Sequence, residues 1–463
     1  MSGVVENDVW LGKMPCDWKR SRIRNVATLS PNYSATYPLS DELCTVVPME
    51  SLSVDGVVDV TNQQMVGETS TGLPNFEKGD VLFAKITPCM ENGKGALVWE
   101  LPTRYAFGST EFHVLRPSKK IDGTFLYYAT FNPIYRAYAA ENMVGAAGQK
   151  RVSSRFVKDT RLFLPPLPEQ HRIATYLDAS CAAIDGAIEA KQRQLETLES
   201  LRKSIIQQAV TRGISKRVSL ESTGNTWMEQ IPGGWKLVCL KRIAEIQGGL
   251  TLGKQYEGKL IERPYLRVGN VQDGHLDLTD VSVIELPAEV AAGVELLPGD
   301  VLMTEGGDLD KLGRGHLWNG EIPGCLHQNH IFAVRCLLHK LKPMFLAYVT
   351  AAKYGRDYFE ATGKKTTNLA CTNATKVGEF PIPLPPLVEQ DAICAYLDEK
   401  LDEVKRMVAS IESQIATLTA YRKSLIHECV TGQRRISEAD VQQLKITVDK
   451  GESPVGKYRH VST

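Results

Sequence analysis

The sequence predicts an α+β chain: two mixed α/β modules separated by two long helices that pair as an antiparallel coiled coil, with pseudo-twofold symmetry. Three observations predict the modules and the helices; either helix orientation is sterically possible, and the antiparallel one is expected for the pseudo-twofold axis it gives. LPPLPEQHRIATYLD at 164–178 returns as LPPLVEQDAICAYLD at 384–398. Glu389 follows Glu169 by 220 positions (389 − 169), far beyond the ~20–50 residues of a solenoid repeat, so the spacing marks a duplicated domain with its connector. Behind each copy runs an apolar pattern with alternating steps of three and four, the signature of a heptad seam.

The duplication extends upstream. Gly79-Asp80-Val81-Leu82 aligns with Gly299-Asp300-Val301-Leu302, Phe112 and Val114 with Phe332 and Val334, and Phe125, Leu126, Tyr128 and Thr130 with Phe345, Leu346, Tyr348 and Thr350. MPCDWK (14–19) echoes IPGGWK (231–236), there at an offset of 217 (235 − 18). Between these anchors the wording diverges: LFAKITPCMENGKGAL follows the first GDV and LMTEGGDLDKLGRGHL the second. A shared scaffold with different loops is the expected outcome, because function concentrates on loops carried by rigid elements. Short β-branched or aromatic runs bounded by Gly, Pro and Asn read as strands: Thr45-Val46-Val47, Val81-Leu82-Phe83 and Phe112-His113-Val114-Leu115. Thr124 to Tyr138 reads as a helix. Regular βαβ alternation is missing, which argues against a doubly wound sheet.

The first seam comprises Cys181, Ile184, Ile188, Lys191, Leu195, Leu198, Arg202, Ile205 and Ala209. The second comprises Leu401, Val404, Val408, Ile411, Ile415, Leu418, Arg422, Leu425 and Cys429, in the same phase. Pro168 suits a first helical turn, Glu169 suits the positive end of the helix dipole, and Gly213 and Gly432 suit the C-terminal stops. Each helix should run about forty residues, or about 60 Å. A narrow seam needs a partner. The helices pair with each other, or each packs on its own module; the seam favours the first. Arg202 and Arg422 fall at seam positions and need acidic partners or a route to solvent. The expected divisions are 1–163 and 214–383 for the modules, 164–213 and 384–432 for the helices, and 433–463 for a tail.

Composition bounds the function. Hydrophobic residues make up 43% and charged residues 23% of the 463, as in an ordinary globular protein with room for more than one core. Fifty-four basic residues balance 54 acidic ones, so any polyanion must be met by a local basic groove rather than by the whole surface. The chain contains no apolar run long enough to span a membrane, and MSGVVENDVWLGK holds no apolar signal stretch, so a cytoplasmic location is expected. Ten scattered cysteines without a CxxC pair should be free thiols.

The twice-used LPPLxEQ opening, the RKSxIxxxVT closing (Arg202-Lys203-Ser204 to Thr211, Arg422-Lys423-Ser424 to Thr431) and GDVLFAKITPCMENGKGAL with GSTEFHVLRP resemble the specificity (S) subunit of Type I restriction–modification systems. The resemblance runs from about Met14 to Gly432. MTEGGDLDKLGRGHLWNG departs from it in the second module, and the tail from Gln433 has no counterpart. The resemblance implies two target-recognition domains, each reading one part of a split, asymmetric double-stranded DNA sequence. It implies no catalysis and no cofactor on this chain. Two modification subunits would methylate adenine with S-adenosylmethionine, and restriction subunits would add ATP- and Mg-dependent translocation and cleavage.

Reading bases takes directed donors and acceptors; holding phosphates takes positive charge or N–H groups. In the first module the candidates are Lys85, Thr87, Asn92 and Lys94, then Ser109 and Thr110, then Gln149, Lys150, Arg151 and Ser153. In the second they are Gln328, Asn329 and His330, then Lys364, Lys365, Thr366, Thr367 and Asn368. GAAGQKRVSSRF and TGKKTTNLACTN occupy equivalent places under the repeat. For any single residue the alternative is a solvated polar loop.

Other motifs carry less. Asn132-Pro133-Ile134-Tyr135 brushes against the NPPY type of adenine methyltransferases but lacks the second proline and an upstream glycine-rich cofactor loop. Gly248 to Lys254 fits GxxxxGK, yet Gln255 stands where Ser or Thr would hold Mg²⁺. His327-x-x-His330 lacks further evident metal ligands. Two rivals remain: a self-contained modification enzyme, which would need a cofactor motif, and an adaptor joining two protein-binding modules, which would show no salt-sensitive, sequence-selective DNA affinity.

Overall fold

The computed structural model describes residues 10–31, 38–70, 72–146, 148–215, 218–272, 274–307, 312–365 and 370–449, without the side chains of 365 and 445–449. The chain divides into two compact units, Met1–Gln192 with Glu412–Thr463, and Arg193–Ile411.

In the first unit a four-stranded sheet runs in the order β2 (Ala27–Leu29), β9 (Phe112–Pro117), β6 (Val81–Ala84) and β7 (Gly95–Leu97), antiparallel throughout. Its centre is apolar on both faces. Val81, Phe83 and Leu115 join a core with α1 (Gly123–Phe131), α2 (Pro133–Glu141) and the long helix α4 (Leu167–Arg212). Leu82, Phe112 and Val114 point the other way, onto Val47 and Phe76 of a second sheet: β4 (Gln63–Met65), β3 (Leu43–Val47), β8 (Tyr105–Gly108) and β5 (Asn75–Phe76). A strand buried on both faces reads as a continuous apolar run, hence VLFA at β6. A two-stranded ladder of β1 (Lys19–Arg22) and β10 (Arg161–Leu164) follows the short helix α3 (Ser154–Asp159).

The second unit repeats the plan. Its main sheet is β14 (Ala244–Gly248), β21 (Ile331–Cys336), β17 (Asp300–Thr304) and β19 (Gly315–Leu317). Its other sheet is β16 (Ser282–Leu286), β15 (Ile261–Leu266) and β20 (Leu326–His327), with α5 (Ala288–Ala292) nearby in sequence. The ladder is β13 (Lys236–Cys239) with β24 (Pro381–Leu384), preceded by a hairpin of β11 (Leu220–Ser222) and β12 (Gln230–Pro232). Helices α6 (Pro343–Ala351), α7 (Lys353–Thr362) and α8 (Ala374–Glu379) match α1, α2 and α3. A small sheet of β18 (Gly306–Gly307), β23 (Ala370–Cys371) and β22 (Lys364–Lys365) completes it.

The structure corrects two details of the sequence reading. Val81 faces Leu115 and Val301 faces Val334, so β21 follows β9 by 219 positions (335 − 116), not 220. Phe332 therefore occupies the place of His113, not of Phe112. The same shift superposes Arg116 on Arg335. Each clasps the buried Asp of its GDV motif with two nitrogens, Asp80 at 2.9 and 2.8 Å and Asp300 at 2.9 and 2.8 Å. Secondly, Thr124–Tyr138 is two helices. Pro133 has no N–H to continue α1, and Asn132 caps α2 by accepting from Ile134 N.

Helix α4 has 46 residues and α9 (Leu387–Thr431) has 45, so each is about 68 Å long. Both end at a glycine with positive φ, Gly213 at 73° and Gly432 at 76°. The duplicated Glu-Gln fastens each helix start to its module. Trp18 donates to Glu169 at 3.2 Å and Trp235 to Glu389 at 3.0 Å. Gln170 accepts from Asp122 N and donates to Lys120 O and Pro165 O; Gln390 does the same with Lys342 N, Lys340 O and Pro385 O. The duplicated aspartate closes the joint, Asp178 with the Tyr128 hydroxyl and Asp398 with that of Tyr348.

The helices pair antiparallel within each unit. In the first, Tyr176 and Asp185 of α4 meet Arg434 and Arg422, so partners descend as α4 ascends, and Ile188 and Leu418 pack on the same core. In the second, Ile206, Ala209 and Val210 share a core with Ile393, Cys394 and Leu397. The same faces also pack on the modules, so the two arrangements weighed from sequence coexist. No seam residue of either helix is exposed. Arg422 Nε lies 2.9 Å from Asp185 Oδ1, an ion pair without hydrogen-bond alignment. Burial opposes its charge, while Cys181 and Asp185 beside it hold the guanidinium above its ordinary value. Arg202 Nε pairs with Glu199 at 2.9 Å.

The tail docks on the first unit. Arg435 grips Glu169 and Asp17 and lies over the Trp18 ring, Arg434 reaches the Tyr176 hydroxyl, and α10 (Glu438–Asp449) follows. Among the described residues no helix is long and apolar enough to cross a membrane. All ten cysteines are free thiols.

The joint sets a prediction. Gln170→Ala orphans three backbone groups and should cost about 2–4 kcal/mol of the first unit's stability, measured by denaturant unfolding; a change under about 0.5 kcal/mol would mean the joint is dispensable.

Candidate nucleic-acid interface

In each unit three segments meet at the open end of the main sheet. The first is the tip of the β6–β7 hairpin, residues 85–94, closed by Ala84 N donating to Lys94 O. The second is the turn entering β9, where Ser109 Oγ accepts from Glu111 N at 3.2 Å. The third is a hairpin whose arms pair Val144 with Arg151, its Arg151 arm lying against Ile86. In the second unit Lys364 pairs with Cys371, which lies against Gly306. All three positions follow their counterparts by 220 (364 − 144, 371 − 151, 306 − 86), so the hairpins correspond. The basic wording sits on opposite arms: Gln149–Arg151 on the returning arm, Lys364–Lys365 on the outgoing one.

The structure brings most of the first-unit candidates together. Thr87 donates to Glu91 and approaches Lys150 O, which also accepts from Thr87 N at 3.0 Å. Lys85 N donates to Glu111 O. Asn92, Thr110, Gln149 and Lys150 are exposed. Other candidate side chains are engaged internally. Lys94 Nζ donates to Met49 O at 2.9 Å. Arg151 grips Glu111, the closest contact 2.7 Å, and these bonds hold the Glu111 carboxyl below the usual carboxylate range. Ser153 caps α3 by accepting from Phe156 N.

In the second unit Gln328 and Asn329 are half-buried and donate backbone N–H groups to Leu266 O and Leu250 O. His330 is exposed and its Nδ1 lies 3.0 Å from Glu305 Oε2. Lys364 is exposed. Thr366, Thr367, Asn368 and the Lys365 side chain lie outside the described residues. Sequence reasoning missed Glu111 and Glu305. Glu111 directly follows the candidates Ser109 and Thr110, and Glu305 directly follows Thr304, the last residue of β17.

The set-aside motifs have local duties. Asn132 is the buried α2 cap, its amide beside His427. Gly249 runs along the backbone of His327 and Gln328 with no helix following it. His327 is buried between Val294 O and Gln247 O, apart from the exposed His330. Among the described residues no group of three or more His, Cys, Asp or Glu could hold a metal.

Residues 15–199 match the family described as "Type I restriction modification DNA specificity domain". The chain is 31% identical over 196 residues to the Type I restriction enzyme EcoEI specificity subunit of Escherichia coli, covering 40% of this chain but only 32% of that protein. The match thus spans about a third of that relative's length. It is 21% identical to the EcoKI specificity subunit of Escherichia coli K12 over 91% of this chain and 90% of that one. A chain from the solved structures described as "Structural basis underlying complex assembly and conformational transition of the type I R-M system" has the same fold, with TM-score 0.71, 20% identity, and coverage of 90% and 98%. The resemblance to specificity subunits is borne out.

Beneath the first junction lies His113. Its Nε2 donates to Val152 O at 2.9 Å, its ring packs on Phe83, and burial pushes its pKa from 6.5 to about 4, with Lys85 and Arg136 adding to the fall. The unfolded chain protonates near 6.5 and the folded one only near 4. Stability should therefore be lost as pH falls through that window, by ~3 kcal/mol in all. His113→Phe, the choice made at Phe332, should cost about 1 kcal/mol at pH 7 through the orphaned carbonyl and flatten the acid limb. Denaturation at pH 7 and pH 4.5 checks both.

Proposed function

We propose that the chain is a non-catalytic, sequence-specific DNA-binding subunit of a Type I restriction–modification complex acting in the cytoplasm. Residues 1–163 and 214–383 each read one part of a split, asymmetric double-stranded target. Residues 164–213 and 384–432 form the spacer and hold two modification subunits, with restriction subunits joining them; S-adenosylmethionine, Mg²⁺ and ATP belong to those partners. The observation that carries this reading is the twinned three-segment junction: equivalent backbone, different side chains. Identical frames make two half-sites; unlike side chains make them unequal.

Within each junction the roles divide by chemistry. Lys85, Lys150, Lys364 and Lys365 suit phosphates or guanine edges, whereas Lys94 and Arg151 would reach DNA only by giving up their bonds to Met49 O and Glu111. Thr87, Asn92, Ser109, Thr110, Gln149, Ser153, Gln328, Asn329, His330, Thr366, Thr367 and Asn368 suit base edges, sugars or the backbone-positioning contacts that fix register. Selection from a pool of random duplexes tests the reading directly. The expected product is a bipartite motif with an unspecified gap. An adaptor would enrich nothing.

Three variants sharpen it. Lys364→Ala with Lys365→Ala should weaken binding and lower the salt slope by about two if each holds a phosphate; unaltered affinity and slope would remove both from the interface. Exchanging residues 1–160 for another reader should change one half-site only, and loss of both would count against modularity. Removing one heptad from each of α4 and α9 should shorten the gap by about 10 Å, or ~3 bp, read by methylation mapping; an unchanged gap would reject the spacer.

A further inference from the structure

At the centre of each junction the same three backbone positions are tied by the same bonds. Lys85 N donates to Glu111 O, and Glu305 N to His330 O, both at 2.9 Å. Val152 N donates to Lys85 O, and Thr372 N to Glu305 O, both at 2.8 Å. The one-residue shift of β21 makes His330 the counterpart of Glu111, and the 220 offset makes Glu305 the counterpart of Lys85. Across this matched frame the charges are reversed. The first unit carries a cation on the hairpin tip and a carboxylate on the strand entry. The second carries the carboxylate on the tip and the imidazole on the entry, 3.0 Å apart.

The reversal has a chemical consequence. In the first unit the Glu111 carboxylate is occupied by Arg151, three of whose contacts fall between 2.7 and 3.1 Å. What the junction presents is therefore the Lys85 ammonium, Arg151 being spent on the Glu111 carboxylate. Donors of this kind match the O6 and N7 acceptors of guanine in the major groove. In the second unit Glu305 is half-buried and uses one oxygen on His330. A carboxylate there matches an amino donor, the N4 of cytosine, and repels the acceptor edge that suits the first.

We propose that positions 85 with 111 and 305 with 330 are a matched, charge-reversed pair of specificity determinants: the first favours an acceptor edge of guanine and the second an amino edge of cytosine. This rests on the DNA-reading function proposed above and goes beyond it by assigning the asymmetry to two equivalent positions.

The experiment selects double-stranded oligonucleotides from a random pool with the full chain, its Glu305→Gln variant and its E305K/H330E variant, each checked by thermal melting. Glu305→Gln keeps shape and hydrogen bonding and loses only charge. It should relax preference at one base pair of one half-site by about tenfold, the discrimination typical of a good base contact, and leave the other half-site unchanged. E305K/H330E should move that base pair toward guanine at the contacted strand. Motifs identical to wild type for both variants, or altered equally in both half-sites, would overturn the assignment. If the double variant melts early, Glu305→Gln alone decides. If wild type itself enriches no motif, it is the DNA-reading function that fails, and this inference with it.

Discussion

The joint between each module and its long helix is the constraint on which the rest depends. A helix start leaves backbone N–H groups without partners, and a proline-rich approach supplies few of its own. Here Pro166 O takes the N–H groups of Glu169 and Gln170, and Pro386 O those of Glu389 and Gln390. The Gln amide then satisfies three backbone groups of the module and its linker, while the Glu takes the indole N–H of the tryptophan just before β1 or β13. The helix direction is thereby fixed relative to the sheet that carries the loops. Apolar packing alone, being non-directional, would let the helix rotate.

Given that joint, the sheets can be conservative and the loops free. The strands β6 and β17 are buried on both faces and tolerate little change of volume. At the first hairpin tip only Met90 is buried; the rest of residues 85–94 is half-buried or exposed and can differ in sequence at little cost to the fold. That explains why GDVL is common to both units while the residues after it diverge. One difference lies at the helix ends. Arg435 adds a cation to the Trp18–Glu169 joint of the first unit, so this joint is built from three segments distant in sequence.

Much of this was legible before folding. The heptad seams show because a 3.5-residue period survives in one dimension, and the stops show because glycine best suits a left-handed residue. The one-residue shift of β21 was not legible: FHVL and IFAV are both apolar, and either register gives plausible matches. Only the ladder, with Arg116 and Arg335 each over its aspartate, decides between them. The break at Asn132-Pro133 carried a clear local signal that the surrounding apolar residues masked.

The sequence by itself determined the duplication, the strand and helix types, the places of the two long helices, which run five or six residues beyond the forty expected (45 − 40, 46 − 40), and the general neighbourhood of the loops. These depend on local period, capping and turn chemistry, which neighbours in sequence control. The tertiary structure alone decided which polar side chains are already committed. Lys94 and Arg151 read as equals of Lys150 in the sequence, yet the first two are bound to Met49 O and Glu111. A donor's availability depends on which acceptors the fold brings within about 3 Å, and those acceptors lie up to 45 residues away (94 − 49) along the chain.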